Sequence, residues 1–360
     1  MDILANPWRR AAPPPGIAAI PGEVARDAAP VLRLLAACPA HAPTPLTPAP
    51  GLAAELGIAA LDVKDERGRM GLGSFKALGA AYAIAKDAAA LLGARATDPA
   101  AAATALTGRA YVTASAGNHG LSLAAGARVF GARAVVYLAR TVPDAFADKL
   151  RDRGAEVVVE GDDYAASMAA AARRAEAEGW TLLSDSTWPG YDRGRDVMEG
   201  YLALAAEIAD AVATPPTHVF LQAGVGGLAA AAAAFLRDAW GEAPRMVVVE
   251  PAAAPALMES IRAGAPVHAG GPVSSMGRLD CKEPSILALK SLAGTADDFV
   301  TLSDAAVEAA IARLAPAGFA TSPSGGAGFA ALAQAAADGA LGLAAGSRAL
   351  VILSEGAVDA

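Results

Sequence analysis

Lys76 stands at the head of an apolar run, in Gly71-Leu72-Gly73-Ser74-Phe75-Lys76-Ala77-Leu78-Gly79. Phe75, Ala77, Leu78 and Ala80 would surround its ammonium with apolar surface. Desolvation lowers a lysine pKa and frees the amine to condense with a carbonyl. A solvated surface lysine is the ordinary alternative. Other turns carry candidate residues in the same way. Ser115-Ala116-Gly117-Asn118-His119-Gly120 follows the run YVTA. Its small residues let a flat polar ligand lie against the backbone, with Asn118 donating to a ring oxygen. Helix capping by Ser115 or Asn118, and a packing role for His119, fit the same residues. Gln222-Ala223-Gly224-Val225-Gly226-Gly227-Leu228 lines up backbone N–H groups at a helix start, an anion cradle in which glycines admit a phosphate. Tight packing is its plainer reading. A dinucleotide is another, because Glu250 falls near the position of a ribose-binding acid. Ser354, at the end of VILSE, is by itself only a turn serine.

These residues need elements to hold them. From Ile58 onward short β-type runs alternate with long alanine-rich helical stretches: ALDVKDE, FKALGAAYAIAKDAAALLG, RAYVTAS, GLSLAAGARVFG and ARAVVYLAR, then EVVVEG, a helix around Tyr164 to Glu178, WTLLSDS, a helix around Val197 to Ala211, THVFLQAG, a further helix, RMVVVEP and ALVILSE. The alternation predicts doubly wound α/β sheet. The candidate turns then sit at strand ends, where open α/β sheets bind ligands. Residues 1 to 50, rich in Pro and Ala, read as an irregular arm ending in a turn, and residues 95–108 as a loop or variable helix end.

Composition narrows the function classes. A chain of 360 residues can bury a sizeable core and divide into two lobes. No run approaches the ~18 uninterrupted strongly apolar residues of a spanning helix, and the start MDILANPWRR lacks the order of a signal peptide. A soluble cytoplasmic protein without a membrane partner is expected. Cys38 and Cys281 are too few for a disulfide framework, and the four histidines show no zinc spacing; no metal is expected. A net charge of -8 without a long basic run argues against nucleic acid, leaving a small molecule as the expected partner.

Taken in order, the segments from about Thr44 to the C-terminus resemble fold type II pyridoxal 5'-phosphate (PLP) enzymes, the tryptophan synthase β-like group that includes threonine and serine dehydratases. Within that group they are most similar to the diaminopropionate ammonia-lyases: PTPL (Pro43 to Leu46), KDE and GLGSFKALG (Lys64 to Gly79), AGNHG (Ala116 to Gly120), SDSTWPGY (Ser184 to Tyr191), QAGVGGLA (Gln222 to Ala229), VVEP (Val248 to Pro251) and CKEPS (Cys281 to Ser285). The resemblance implies two doubly wound α/β domains with PLP in the cleft between them, residues 1–84 and 188–360 forming the large domain and 85–187 the small one. It implies that Lys76 carries PLP as a Schiff base beside Phe75, that Asn118 bonds the ring oxygen, that Gly224, Val225, Gly226 and Gly227 hold the phosphate, and that Ser354 faces the pyridine nitrogen. A serine there cannot hold that nitrogen protonated as a carboxylate would, which favours elimination over racemisation or transamination.

The expected function is α,β-elimination from a small, diaminopropionate-like β-substituted amino acid, giving a 2-oxo acid and ammonia. The expected assembly is the homodimer that the resemblance suggests. Lys76 would take the α-proton, and Asp185 would orient or protonate the leaving group, or merely cap its loop. Ser74, Thr113 and Ser115 are candidates for the substrate carboxylate. Glu283 would contact cofactor or substrate, or brace its loop. A hydroxy-amino-acid dehydratase shares every cofactor residue. An NAD-dependent oxidoreductase and a non-catalytic PLP-binding protein are the rivals from other classes. Two positions depart from the ammonia-lyase pattern. Ala116 replaces an aspartate associated with D-substrates, and Pro323-Ser324-Gly325-Gly326 replaces Glu-Ser-Gly-Ala, so an active-site carboxylate is expected to be missing there.

Overall fold

Fully buried apolar runs such as AYVTA (Ala110–Ala114), HVFLQ (His218–Gln222) and DFVTL (Asp298–Leu302) suit strands covered on both faces, and such strands pair in parallel. The computed structural model describes residues 1–96 and 98–357 and arranges these strands in two sheets. In chain order the strands are β1 (Asp2–Ala5), β2 (Leu46–Pro48), β3 (Ala60–Asp65), β4 (Ala110–Ala114), β5 (Arg133–Leu138), β6 (Glu156–Val159), β7 (Thr181–Leu182), β8 (His218–Gln222), β9 (Arg245–Pro251), β10 (Asp298–Leu302) and β11 (Arg348–Leu353). One sheet has the order β1-β10-β9-β8-β11-β3-β2 and the other β6-β5-β4-β7. All pairings are parallel except those of the edge strands β1 and β2. Leu353 lies opposite Asp65, so β3 and β11 end level and deliver the Lys76 loop and Ser354 to one edge.

The N-terminal arm is more regular than its composition predicts. Asp2–Ala5 pairs antiparallel with β10, the helix Ala29–Ala36 follows, and the Asn6 amide donates to the carbonyls of Leu292, Ala293 and Ala296. Edge pairing runs through backbone groups, which carry no sequence signature in so short a run. The strand DFVTL also escapes the sequence reading, and the expected helix from Val197 to Ala211 is two helices, Gly194–Gly200 and Leu202–Ala211. Thr97, in the stretch expected as a loop, lies outside the described residues. Around it are a short 3-10 turn, Gly93–Arg95, and a short helix, Pro99–Ala102.

Small residues set how closely the helices approach the site. A Cβ on Gly200 would lie 2.3 Å from the Leu78 carbonyl oxygen, and one on Gly79 would lie 2.7 Å from Val197 Cγ1. The segment beginning at Phe75 therefore packs directly on the helices after Gly194. The stretch Phe75–Arg95 is long and apolar enough to cross a membrane by composition alone, yet it contacts the helices Asn118–Val129 and Gly194–Gly200 as a core element.

A buried ionic cluster fixes the approach to Lys76. Lys64 Nζ donates to Glu207 at 2.6 Å, and Arg69 bridges Glu66 (2.8 Å) and Glu207 (2.7 Å). The Thr44 hydroxyl completes the network by donating to Glu66. Burial works against the Glu207 carboxylate, but Arg69 and Lys64 outweigh it and hold its pKa below the ordinary 4.5. Its contribution to stability is therefore full above about pH 4.5 and lost as pH falls through the depressed folded value. Glu207→Gln leaves two buried cations short of a partner and is expected to cost about 3–5 kcal/mol in denaturant unfolding at neutral pH. A loss below about 0.5 kcal/mol, the range of ordinary surface substitutions, would show that the cluster is not under electrostatic control.

Candidate active site

The turn before Lys76 uses left-handed backbone at Met70, Gly71 and Gly73, with φ of 50°, 66° and 79°. It is then sewn to the end of β11. The Phe75 N–H donates to the Ser354 carbonyl (3.0 Å), the Gly356 N–H donates to the Gly73 carbonyl (3.0 Å), and Ser74 bridges Glu355. Phe75 packs tilted on Tyr201 with ring centroids 4.9 Å apart, and Lys76 Nζ lies 5.9 Å from the centre of the Phe75 ring.

Lys76 donates directly to the Asp185 carboxylate. Asp185 follows β7 and is oriented by the Trp-Pro-Gly-Tyr segment. The Tyr191 hydroxyl accepts from the Ser184 N–H (2.8 Å) and donates to the Leu182 carbonyl (3.1 Å), while Trp188 stacks on Tyr191 at 4.1 Å. Burial pushes the Lys76 pKa down, as the sequence predicts, but the Asp185 carboxylate more than reverses it and holds the ammonium well above the ordinary lysine range. The expectation of a lysine freed by desolvation is thus corrected by a neighbour distant in sequence. Asp185, raised by burial, is drawn further down by Lys76 and lies well below the usual carboxylate range.

After β4, Asn118 begins the helix Asn118–Val129, and its amide donates to Glu355 at 2.5 Å. Ser115 accepts from the N–H groups of Gly117 (3.2 Å) and Gly120 (3.1 Å), so its hydroxyl oxygen caps the turn. Thr113 lies inside β4 and Ser74 inside its loop, and both hydroxyl oxygens are buried without a partner among the described residues. His119 Nε2 is bound to the Leu183 carbonyl at 2.8 Å, and burial lowers the ring's pKa. A cavity of about 130 Å³ opens beside Ser115 and Ala116, with Thr141 and Tyr164 in its wall.

The glycine turn joins β8 to the helix Gly227–Trp240, whose start has no side-chain cap. Gly226 has φ 99°, and a Cβ on Gly224 would lie 3.0 Å from Cys281 Sγ. Burial pushes the Cys281 thiol up to about 12, which keeps it neutral. Glu250 is fully buried, and its two oxygens accept from the N–H groups of Leu257 (2.7 Å) and Met258 (2.8 Å). This carboxylate caps a helix and has no surface for a ribose, which removes the acidic residue on which the dinucleotide reading depends.

The pyridoxal-phosphate dependent enzyme family matches residues 37–355. The chain belongs to this family. Among its relatives, the diaminopropionate ammonia-lyase of Salmonella typhimurium is 33% identical over 282 residues, 74% of this chain and 70% of that protein. The Arabidopsis thaliana chloroplastic biosynthetic threonine dehydratase is 33% identical over 156 residues, 43% of this chain and 25% of that one. The crystal structure of Escherichia coli diaminopropionate ammonia lyase in complex with D-serine superposes with a TM-score of 0.87 at 27% identity, covering 99% of this chain and 93% of that one. The fold is that of the fold type II PLP enzymes, and the cofactor is pyridoxal phosphate.

The residues present suit that cofactor. An uncapped helix start with close-packed glycines accepts a phosphate, and Lys76 is the amine beside the cleft. Ser354 is buried at the end of β11, its N–H donating to the Gly325 carbonyl at 3.2 Å. Of the two roles expected of Glu283, the loop-bracing one fits its surroundings: its side chain is 75% exposed and pairs with His268 at 3.3 Å. The Pro323-Ser324-Gly325-Gly326 segment itself has no carboxylate, but one from elsewhere in the chain lies beside it. Glu355 brings one to this edge of the cleft, held by Asn118, by the Ser322 hydroxyl and, at 3.9 Å, by Arg278. Glu355 and Arg278 escaped sequence reasoning. The only signal for Glu355 was its place directly after Ser354.

Proposed function

We propose that this enzyme catalyses α,β-elimination on a small β-substituted L-amino acid, with diaminopropionate as the first candidate, yielding a 2-oxo acid and ammonia. The observation that carries the reading is the Lys76–Asp185 pair, an ammonium donating to a carboxylate, which sets a proton donor and a proton acceptor side by side. Bound pyridoxal phosphate supplies the electron sink for carbanion character at Cα. We assign its attachment to Lys76, its ring oxygen to Asn118, its phosphate to the Gly224–Gly227 turn and its pyridine edge to Ser354. Lys76 Nζ takes the Cα proton. Asp185 orients the β-amino or β-hydroxyl group and relays a proton to it, so the group departs with its electron pair as neutral ammonia or water. Hydrolysis of the remaining C–N bond releases the second product. Ala116, where the ammonia-lyases carry an aspartate associated with the D-isomer, favours the L-isomer as substrate. Relatives named ammonia-lyase over most of the chain support this reading, and a cytoplasmic homodimer is proposed with it.

Dehydration of a hydroxy-amino acid is the second reading, favoured by Ala116 and by the relatives named threonine dehydratase. Both are tested by following 2-oxo acid and ammonia from diaminopropionate, serine, threonine and 3-hydroxyaspartate side by side. Turnover of hydroxy-amino acids alone would select dehydration, and absence of product from all would overturn elimination.

A further inference from the structure

Among the described residues, no anion lies within hydrogen-bonding range of the Arg278 guanidinium. Its Cδ and Nε lie 3.4 Å from the position of a Cβ on Gly117, and Nη1 makes a long contact of 3.4 Å to the Ala116 carbonyl. Nε is buried without a partner, while the side chain as a whole is 35% exposed. The nearest carboxylate among the described residues, Glu355, is 3.9 Å away and already accepts from Asn118 and Ser322. Glu355 thus holds the guanidinium in place without satisfying it. A buried N–H left unpaired is unfavourable, and that cost is removed when a ligand supplies the acceptor. The backbone of Arg278 is fixed as well, since its N–H donates to Ser324 at 3.0 Å.

We propose that Arg278 recognises a second carboxylate on the substrate. The enzyme then acts on a β-amino or β-hydroxy dicarboxylic amino acid, such as 3-hydroxyaspartate, in preference to one with an uncharged or cationic side chain. A planar guanidinium with free N–H groups matches a carboxylate bidentately. The same charge repels a lone β-ammonium. This inference rests on the elimination reading and moves its preferred substrate from diaminopropionate to a dicarboxylic amino acid.

The test compares wild type, Arg278→Gln and Arg278→Lys holoenzymes on 3-hydroxyaspartate and serine, with succinate and propionate binding measured by calorimetry. Loss of a charge-assisted hydrogen bond predicts a rise of roughly 10- to 100-fold in KM for 3-hydroxyaspartate in Arg278→Gln, a change in serine KM below about threefold, and a smaller loss in Arg278→Lys. Succinate is expected to bind wild type better than propionate and to lose that advantage in Arg278→Gln. An equal rise in both KM values would assign Arg278 to the carboxylate common to all amino acids and overturn the proposal. So would unchanged KM values, or succinate binding that ignores the substitution. If no substrate is turned over, elimination fails, while succinate binding still reads Arg278 separately. Should Arg278→Gln not fold, Arg278→Lys decides by the same ratio.

Discussion

Lys76→Ala is expected to yield a folded protein that lacks the visible absorption of lysine-bound pyridoxal phosphate and incorporates no cofactor on borohydride reduction. Its kcat should fall by at least about 10³. General-base catalysis accounts for roughly 10²–10⁴ of an enzyme's rate, and the substitution also removes the attachment point. The glycine turn at Gly224–Gly227 is untouched, so the variant should still take up cofactor reversibly. The side chain is not needed to position its own loop, because the backbone bonds of Phe75 to Ser354 and of Gly356 to Gly73 persist. Wild-type absorbance in the variant would sink the Schiff-base assignment. Loss of colour with full activity would sink the proton-transfer role.

The candidate turns were legible because small residues and glycines interrupt strongly apolar runs at strand ends, a local pattern. What joins those turns is not local. Lys76 meets Asp185 across 109 positions, Asn118 meets Glu355 across 237, and Arg278 meets Ala116 across 162. No periodicity encodes such meetings. They follow from the level ends of β3 and β11 and from helix contacts set by glycines such as Gly79 and Gly200. The family resemblance supplied Asp185 but not its effect on Lys76, which depends on how closely two buried charges approach. The strands Asp2–Ala5 and Asp298–Leu302 were missed for a related reason. A short edge run borrows its order from a partner, and a brief buried run between helices looks like either element.

Asp185→Asn separates the two partners of the site. In the unliganded protein the ion pair opposes the burial of Lys76; with an uncharged amide in its place, burial acts alone and the lysine pKa falls. Free amine should then appear at lower pH, and cofactor should attach faster at neutral pH than in wild type. Turnover moves the other way. Loss of the carboxylate that orients and relays a proton to the leaving group is expected to lower kcat by about 10²–10⁴, with KM changed far less. The stability signature has a defined window. Asp185, depressed below its ordinary 3.8, contributes above about pH 3.8 and loses that contribution as pH falls through the folded value. Lys76, raised above 10.5, contributes below about pH 10.5 and loses it as pH rises through its folded value. Denaturant unfolding of the unliganded variant should therefore show its largest deficit between those limits and converge on wild type at either extreme. A residue that only caps its loop would produce a stability deficit without faster cofactor attachment. If kcat stays within threefold of wild type and attachment keeps its pH dependence, Asp185 has no part in the proton transfer.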